Sequence, residues 1–109
     1  MAFILKKLNK LPVRVKGTLT GEDGKPEQFD FSLHCKRLDQ DEIDAVKTDG
    51  GSIKNFVKGV AEGWDTVLDA TGSSVPFDQD RLGELIAFAG MPMLIMRCYL
   101  DQVSAAAKN

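Results

Sequence analysis

The residues of this chain with the most obvious capacity for chemistry are one histidine and two cysteines. His34 is followed directly by Cys35, and a cysteine nucleophile with a histidine base needs these two side chains to meet. They fall in an alternating stretch, where successive residues point to opposite faces of a sheet. We therefore expect His34 at the surface and Cys35 in the core, unable to act together. Cys35 and Cys98 also lack the C-x-x-C spacing of a metal or redox site.

The carboxylates are better explained by turns and helix starts than by catalysis or metal binding. The stretch 69–72 is similar to the Asp-Thr-Gly loop of aspartic proteases, but the extra Ala70 changes the spacing and no second copy supplies the paired carboxylate. The acidic residues at 39–44 and 78–80 lack the glycine and closing glutamate of a calcium loop. They are typical of first helical turns, where carboxylates complement the helix dipole. We expect no catalytic residue, no metal site and no cofactor.

Alternation with a period of two predicts a β-hairpin between residues 11 and 35. Apolar and polar residues alternate along 11–20 and again along 29–35, and the Gly, Asp and Pro residues of 21–26 supply the turn. Phe29 and Phe31 fall on the apolar face of the second strand, so we assign both to the core.

After the hairpin the apolar residues recur at helical spacing. A capping-box pattern at 39–42 predicts the start of a first helix, and the glycines at 50–51 predict its end. Ser52 is expected to cap a second helix, whose apolar face includes Phe56 and extends to Trp64.

The second half of the chain predicts one loop and two more helices. Two short β-prone runs around a Gly/Ser turn at 67–77 indicate a small second hairpin or an ordered loop. Asp78 is expected to cap a third helix whose inner face extends to Ala89. Pro92 suits the first turn of a fourth helix that continues through Val103.

Length and composition predict a single α+β domain over 1–109, with a flexible segment at 1–10 and a frayed tail at 104–109. The chain has 109 residues, of which 43% are hydrophobic, and this size holds one core without disulfides or metal. With 14 basic and 16 acidic side chains, it has no general attraction to nucleic acid. The longest apolar stretch, 87–100, is interrupted by Gly, Pro and Arg and is too short to span a membrane. We therefore expect a cytoplasmic protein without membrane association.

The fourth predicted helix, 91–103, is apolar on nearly every side and leaves two interpretations open. A helix that is apolar all round must be covered all round. It is either a central core helix or a binding groove for a hydrophobic helix of another chain. Its methionines are suggestive of the second interpretation, because flexible thioethers adapt to several apolar partners. We favour the first, because buried helices are common.

Several motifs beyond the first ten residues together resemble one known family. They are the Phe-Ser-Leu-x-Cys-Lys-Arg-Leu stretch at 31–38, Gly-Trp-Asp at 63–65, Val-Pro-Phe at 75–77, Leu-x-Glu-Leu-Ile at 82–86, and Tyr99-Leu100. On these residues the chain resembles the tail assembly chaperones of long-tailed bacteriophages and prophages. Gly-Trp-Asp followed by Val-Pro-Phe is the most specific part of the resemblance.

The resemblance implies a non-catalytic role without a small-molecule substrate. Members of this family bind the tape measure protein, a long helical chain with exposed hydrophobic stretches, and help the tail tube protein polymerise around it. Many are also made in a longer form by a ribosomal frameshift, through which the tail tube protein would be a second partner. They act in the cytoplasm of the bacterial host and are absent from the finished virion.

With this role in mind, we expect the client to contact the fourth helix. The expected partner-binding residues are Met93, Met96, Tyr99, Leu100 and Val103. The expected core residues are Phe29, Phe31, Phe56, Trp64 and Phe77.

A different class of function stands as the alternative, a small regulatory or nucleic-acid-binding module. Its contact surface would be the basic outer face of the first strand, at Arg14 and Lys16. No exposed aromatic residues are interleaved there to stack on bases, which disfavours this alternative. An enzyme ranks third, because no nucleophile, base and anion-binding group converge.

Overall fold

The fold was obtained as a computed structural model, which describes residues 1–48 and 52–107. The elements in chain order are β1 (Lys10–Thr20), β2 (Pro26–Lys36), α1 (Gln40–Thr48), α2 (Ile53–Val60), β3 (Ala61–Asp65), α3 (Gln79–Leu85) and α4 (Met91–Val103). This is the predicted α+β fold, an N-terminal antiparallel hairpin followed mainly by helices. The predicted glycine end of the first helix at 50–51 lies outside the described residues, as do the last two residues of the predicted tail.

The hairpin of β1 and β2 is the predicted one. Its register pairs Lys10 with Lys36 at one end and Thr20 with Pro26 at the other. In the connecting turn Gly24 has a φ of 80°, a conformation that glycine adopts without strain. The apolar side chains of both strands point to one face and form the centre of the core.

A third strand replaces the predicted end of the second helix. α2 ends at Val60, and Ala61–Asp65 pairs antiparallel with β2, so that Trp64 lies opposite Leu33 in a sheet of order β1-β2-β3. The prediction that Trp64 lies on α2 is therefore wrong. The free edge of β2 gives the backbone of these residues hydrogen-bond partners, and this tertiary pairing outweighs the helical spacing of the side chains.

The helix starts follow the predicted caps. The Asp39 amide donates to Glu42 Oε1 at 3.1 Å, and the Glu42 amide donates to Asp39 Oδ1 at 2.9 Å, which is a complete capping box. Ser52 Oγ and Asp78 Oδ1 each accept a hydrogen bond from the amide three residues ahead, at the starts of α2 and α3.

α3 is shorter than predicted. It ends at Leu85, and the amide of Phe88 then donates to the carbonyl of Leu85, three residues back instead of four. Ala89 is exposed, so its expected place on the inner face is wrong. Gly90, with a φ of 84°, turns the chain into α4.

The stretch 67–77 is an ordered loop with a small hairpin-like pairing, as predicted. Leu68 and Ser74 form an isolated bridge, and the amide of Val75 donates to the carbonyl of Val67 at 2.9 Å. The indole nitrogen of Trp64 donates to the carbonyl of Val75 at 2.7 Å, which ties the loop to β3.

The expected core residues lie in the core or against it. Phe31 and Phe56 are buried, whereas Phe29, Trp64 and Phe77 are half-buried and pack against the buried cluster. The rings of Trp64 and Phe77 meet edge to face, with their centroids 5.1 Å apart.

Residues 1–9, which we name the N-terminal arm, precede the hairpin. They adopt neither helix nor strand, and all of them are exposed. The carbonyl of Asn9 accepts a hydrogen bond from the Arg37 amide at 3.0 Å, which fixes the base of the arm beside the end of β2. No helix in the described parts of the chain is long and apolar enough to cross a membrane.

Candidate protein-binding surface

The histidine and the cysteine beside it diverge, as predicted. His34 is exposed, and its Nε2 lies 2.8 Å from Oδ2 of Asp65 on the neighbouring strand. Cys35 is buried, and burial raises the pKa of its thiol to about 12. A thiol with this pKa stays protonated at neutral pH, so Cys35 is not an activated nucleophile.

The Asp69 carboxylate organises a turn. Its Oδ1 accepts hydrogen bonds from the Thr71 hydroxyl at 2.6 Å, the Thr71 amide at 2.9 Å and the Ser73 amide at 3.1 Å. These bonds, led by the one from the Thr71 hydroxyl, lower the pKa of Asp69. Within residues 1–48 and 52–107, His, Cys, Asp and Glu side chains form no group that could hold a metal ion.

The basic face of β1 is paired with carboxylates. Arg14 donates to both carboxylate oxygens of Asp30, at 3.1 and 2.7 Å, and the pair lowers the pKa of Asp30. Lys10 lies 2.6 Å from Glu62. Of the two basic residues on which the nucleic-acid alternative depends, Arg14 is thus neutralised by a carboxylate.

Tyr99 belongs to the core and is not available to a partner. Its exposed fraction is 0%, and its ring packs edge to face on Phe56. The hydroxyl donates to the carbonyl of Lys36 at 2.7 Å and accepts from the amide of Leu38 at 2.9 Å. Burial raises the pKa of Tyr99. The expectation that Tyr99 contacts the client is therefore wrong, because the fold uses both its ring and its hydroxyl internally.

The other expected partner-binding residues on α4 differ in exposure. Met96, Leu100 and Val103 are half-buried and pack against the core. Met93 is 46% exposed and is the most accessible of the five expected residues. α4 is thus chiefly a core helix, the first of the two interpretations that the sequence left open.

A further side of α4 covers the outer edge of β1. The Gln102 side chain accepts from the Arg14 amide at 3.0 Å and donates to the Arg14 carbonyl at 2.9 Å, as a neighbouring strand would. One turn earlier, Cys98 is half-buried and interacts with the Lys16 amide. Burial raises the pKa of Cys98 more than this backbone interaction lowers it. α4 is apolar on nearly every side because other elements cover it on several sides.

An apolar groove of about 570 Å³ lies between β3, the 67–77 loop and α3. Trp64, Val75 and Leu85 contribute to its floor, and Leu68 and Phe88 stand at its rim, each 53% exposed. Phe88 is presented to solvent because α3 ends at Leu85 and the following turn leaves the helical path. We call this surface the apolar groove.

Acidic side chains outnumber basic ones in the apolar groove and in the depression beside it. The charged residues that line it are Asp69, Arg81 and Glu84, and Arg81 lies 3.4 Å from Glu84 in an ion pair. A second depression, of about 530 Å³, shares Phe88 with the groove and is lined by the hairpin turn. The charged residues of that depression are Glu22, Asp23 and Glu27. The combined rim therefore presents an excess of negative charge.

Sequence reasoning missed Leu68 and Phe88. The helical spacing of α3 assigned its apolar residues to an inner face and left Phe88 off that face, between two alanines and before Gly90. A large aromatic residue outside the predicted core face was therefore the one sequence feature that could have indicated an exposed apolar surface here.

Comparison with known proteins identifies no relative of this chain. No family model, no curated protein and no solved structure matches the chain. The motifs and the apolar groove therefore carry the functional proposal.

Proposed function

We propose that this chain is a non-catalytic tail assembly chaperone of a long-tailed phage or prophage. It binds hydrophobic helical segments of the tape measure protein, keeps them soluble in the host cytoplasm and promotes assembly of the tail tube. The observation that carries the proposal is the apolar groove with Leu68 and Phe88 half-exposed at its rim.

The groove and the family motifs involve the same residues. Trp64 of the Gly-Trp-Asp motif lines the groove, as do Val75 and Pro76 of the Val-Pro-Phe motif. The most specific part of the resemblance therefore supports a binding role for this surface. This moves the proposed client contacts from α4 to the groove, and Met93, although exposed, lies outside it.

The shape of the surface suits a helical client. An amphipathic helix binds by placing apolar side chains, spaced three or four residues apart, into an apolar groove. Large apolar residues at the rim, such as Leu68 and Phe88, are suited to anchor such a helix and exclude water from the contact. A holdase needs an accessible apolar surface of this kind instead of a deep polar pocket.

Co-expression tests the proposal. The chain is produced together with the tape measure protein of the phage or prophage that encodes it, and the soluble yield and co-purification of that protein are measured. The wild-type chain should raise the soluble yield and co-purify with the client. The double variant Leu68→Ser/Phe88→Ser should lose both effects, because it removes the apolar rim without altering the buried core.

Met93→Ser is the matched control, since it also removes an exposed apolar side chain but lies outside the groove. It should retain client binding, and thermal unfolding should show that both variants fold. Loss of binding in Met93→Ser alone would place the client on α4. No gain in soluble yield with the wild-type chain would contradict the chaperone proposal, and salt-dependent retention on DNA would favour the nucleic-acid alternative.

A further inference from the structure

The N-terminal arm exposes an unusual run of large apolar side chains. Phe3, Ile4 and Leu5 are 86%, 73% and 92% exposed. Contiguous apolar surface of this kind on a small protein marks a site of interaction. The basic residues Lys6 and Lys7 follow directly, so that the arm presents an apolar tip and then two positive charges.

The apolar groove and its rim have the complementary character. The floor and rim are apolar at Trp64, Leu68 and Phe88. On the far side of Phe88, the second depression presents the carboxylates of Glu22, Asp23 and Glu27. A segment with three apolar residues followed by two lysines would place its apolar residues on the groove and its lysines beside these carboxylates.

The lysines of the arm cannot reach the acidic hairpin turn within their own chain. Phe88 lies beside Thr20 and the hairpin turn, whereas the arm departs from Lys10 at the opposite end of β1. At about 3.3 Å per residue, the two ends of β1 are roughly 33 Å apart. Lys6 precedes Lys10 by four residues, which span at most about 14 Å when fully extended. An arm whose lysines meet the carboxylates of the hairpin turn must therefore belong to another molecule.

We propose that the apolar groove binds the N-terminal arm of a second copy of this chain. Phe3, Ile4 and Leu5 of one copy contact Leu68 and Phe88 of the other, and Lys6 and Lys7 face the acidic hairpin turn. The inference goes beyond the proposed function, because this self-association requires no client.

The mass of the purified full-length chain, measured by analytical ultracentrifugation across a wide concentration range, tests the inference. The wild-type chain should associate at high concentration. An arm variant, Phe3→Ser/Leu5→Ser, and a groove variant, Leu68→Ser/Phe88→Ser, should each raise the dissociation constant at least about tenfold, as expected for loss of anchoring residues. Met93→Ser should associate like the wild type, because it lies outside both surfaces.

Mixing the two double variants separates a specific contact from a folding defect. The arm variant keeps an intact groove and the groove variant keeps an intact arm, so the mixture should form a heterodimer that neither variant forms alone. A wild-type chain that remains monomeric at all concentrations would overturn the inference, as would a dimer that persists in both variants.

An anionic membrane also attracts an apolar segment followed by lysines. A sedimentation assay with vesicles of phosphatidylcholine and phosphatidylserine tests whether the arm binds such a membrane. Arm-dependent sedimentation of a monomeric wild-type chain with these vesicles would overturn the inference in favour of a lipid surface. These measurements use the chain alone, so their failure would leave the result of the co-expression experiment unchanged.

Discussion

Tyr99 closes the junction where the chain leaves the sheet and enters α1. Its hydroxyl pairs with the Lys36 carbonyl and the Leu38 amide, at 2.7 and 2.9 Å. Its ring contacts Phe56 edge to face, with the centroids 5.2 Å apart. One side chain therefore fills a core position and satisfies two backbone groups that would otherwise lose hydrogen bonds on burial.

Removing only this hydroxyl should destabilise the protein measurably. Tyr99→Phe keeps the ring but leaves the two backbone groups without their partner, at a cost of about 1–3 kcal/mol. Urea unfolding should show a lower midpoint with an unchanged slope. The exposed-site control Met93→Ala should stay within about 0.5 kcal/mol of the wild type. A midpoint for Tyr99→Phe equal to that of the wild type would show that the hydroxyl contributes nothing to stability.

Residue roles were predictable where the partners are close in the chain. The capping box of Asp39 and Glu42 is encoded within four residues, and the sequence predicted it. The role of Tyr99 was not predictable, because its hydrogen-bond partners lie 63 and 61 residues away. On the sequence alone, an aromatic on a helix that is apolar on nearly every side fits both a core position and a binding surface.

At the scale of elements, α4 acts as the missing neighbour of β1. The Arg14 amide and carbonyl point away from β2 and pair with Gln102. Since these groups alternate in direction along a strand, the flanking residues Val13 and Val15 direct theirs toward β2. At Arg14 the edge strand therefore does not offer its backbone to another chain.

Replacing Gln102 by Leu should open this edge locally. The variant keeps the size of the side chain but loses the hydrogen bonds to both the Arg14 amide and carbonyl. Hydrogen exchange at the Arg14 amide should accelerate strongly, while exchange at Val13 and Val15 should change little because their amides remain in the ladder. Equal acceleration at all three amides would indicate general loosening of the sheet and would contradict a local role for Gln102.

Elements were predictable where periodicity alone defines them, as for the β1–β2 hairpin and the span of α4. β3 was not, because Ala61–Asp65 becomes a strand through its pairing with β2. The apolar groove was unpredictable for a related reason. It forms where β3, the 67–77 loop and the early end of α3 lie side by side. The local sequence pattern of each segment does not indicate that the three are adjacent.

The whole molecule is more extended than its length requires. Its radius of gyration is 15.4 Å and its longest dimension is 49 Å. A compact domain of about 100 residues has a radius of gyration near 13 Å. The exposed N-terminal arm and the long hairpin account for the difference. The exposed large apolar side chains lie mainly on the arm and at the groove, and α4 contributes only Met93.

Limited digestion with trypsin should reveal whether association of two copies covers the N-terminal arm. Cleavage after Lys6 and Lys7 should come first, because these residues are exposed and outside the strands, whereas Lys10 and Arg14 lie in the β1 ladder. At a concentration where the chain associates, a second copy that holds the arm should slow this cleavage. The groove variant Leu68→Ser/Phe88→Ser, digested at the same concentration, should lose the protection because its groove no longer retains the arm. Mass spectrometry of the fragments over time distinguishes the two outcomes, and equal cleavage rates in the wild type and the groove variant would show that the arm stays free in solution.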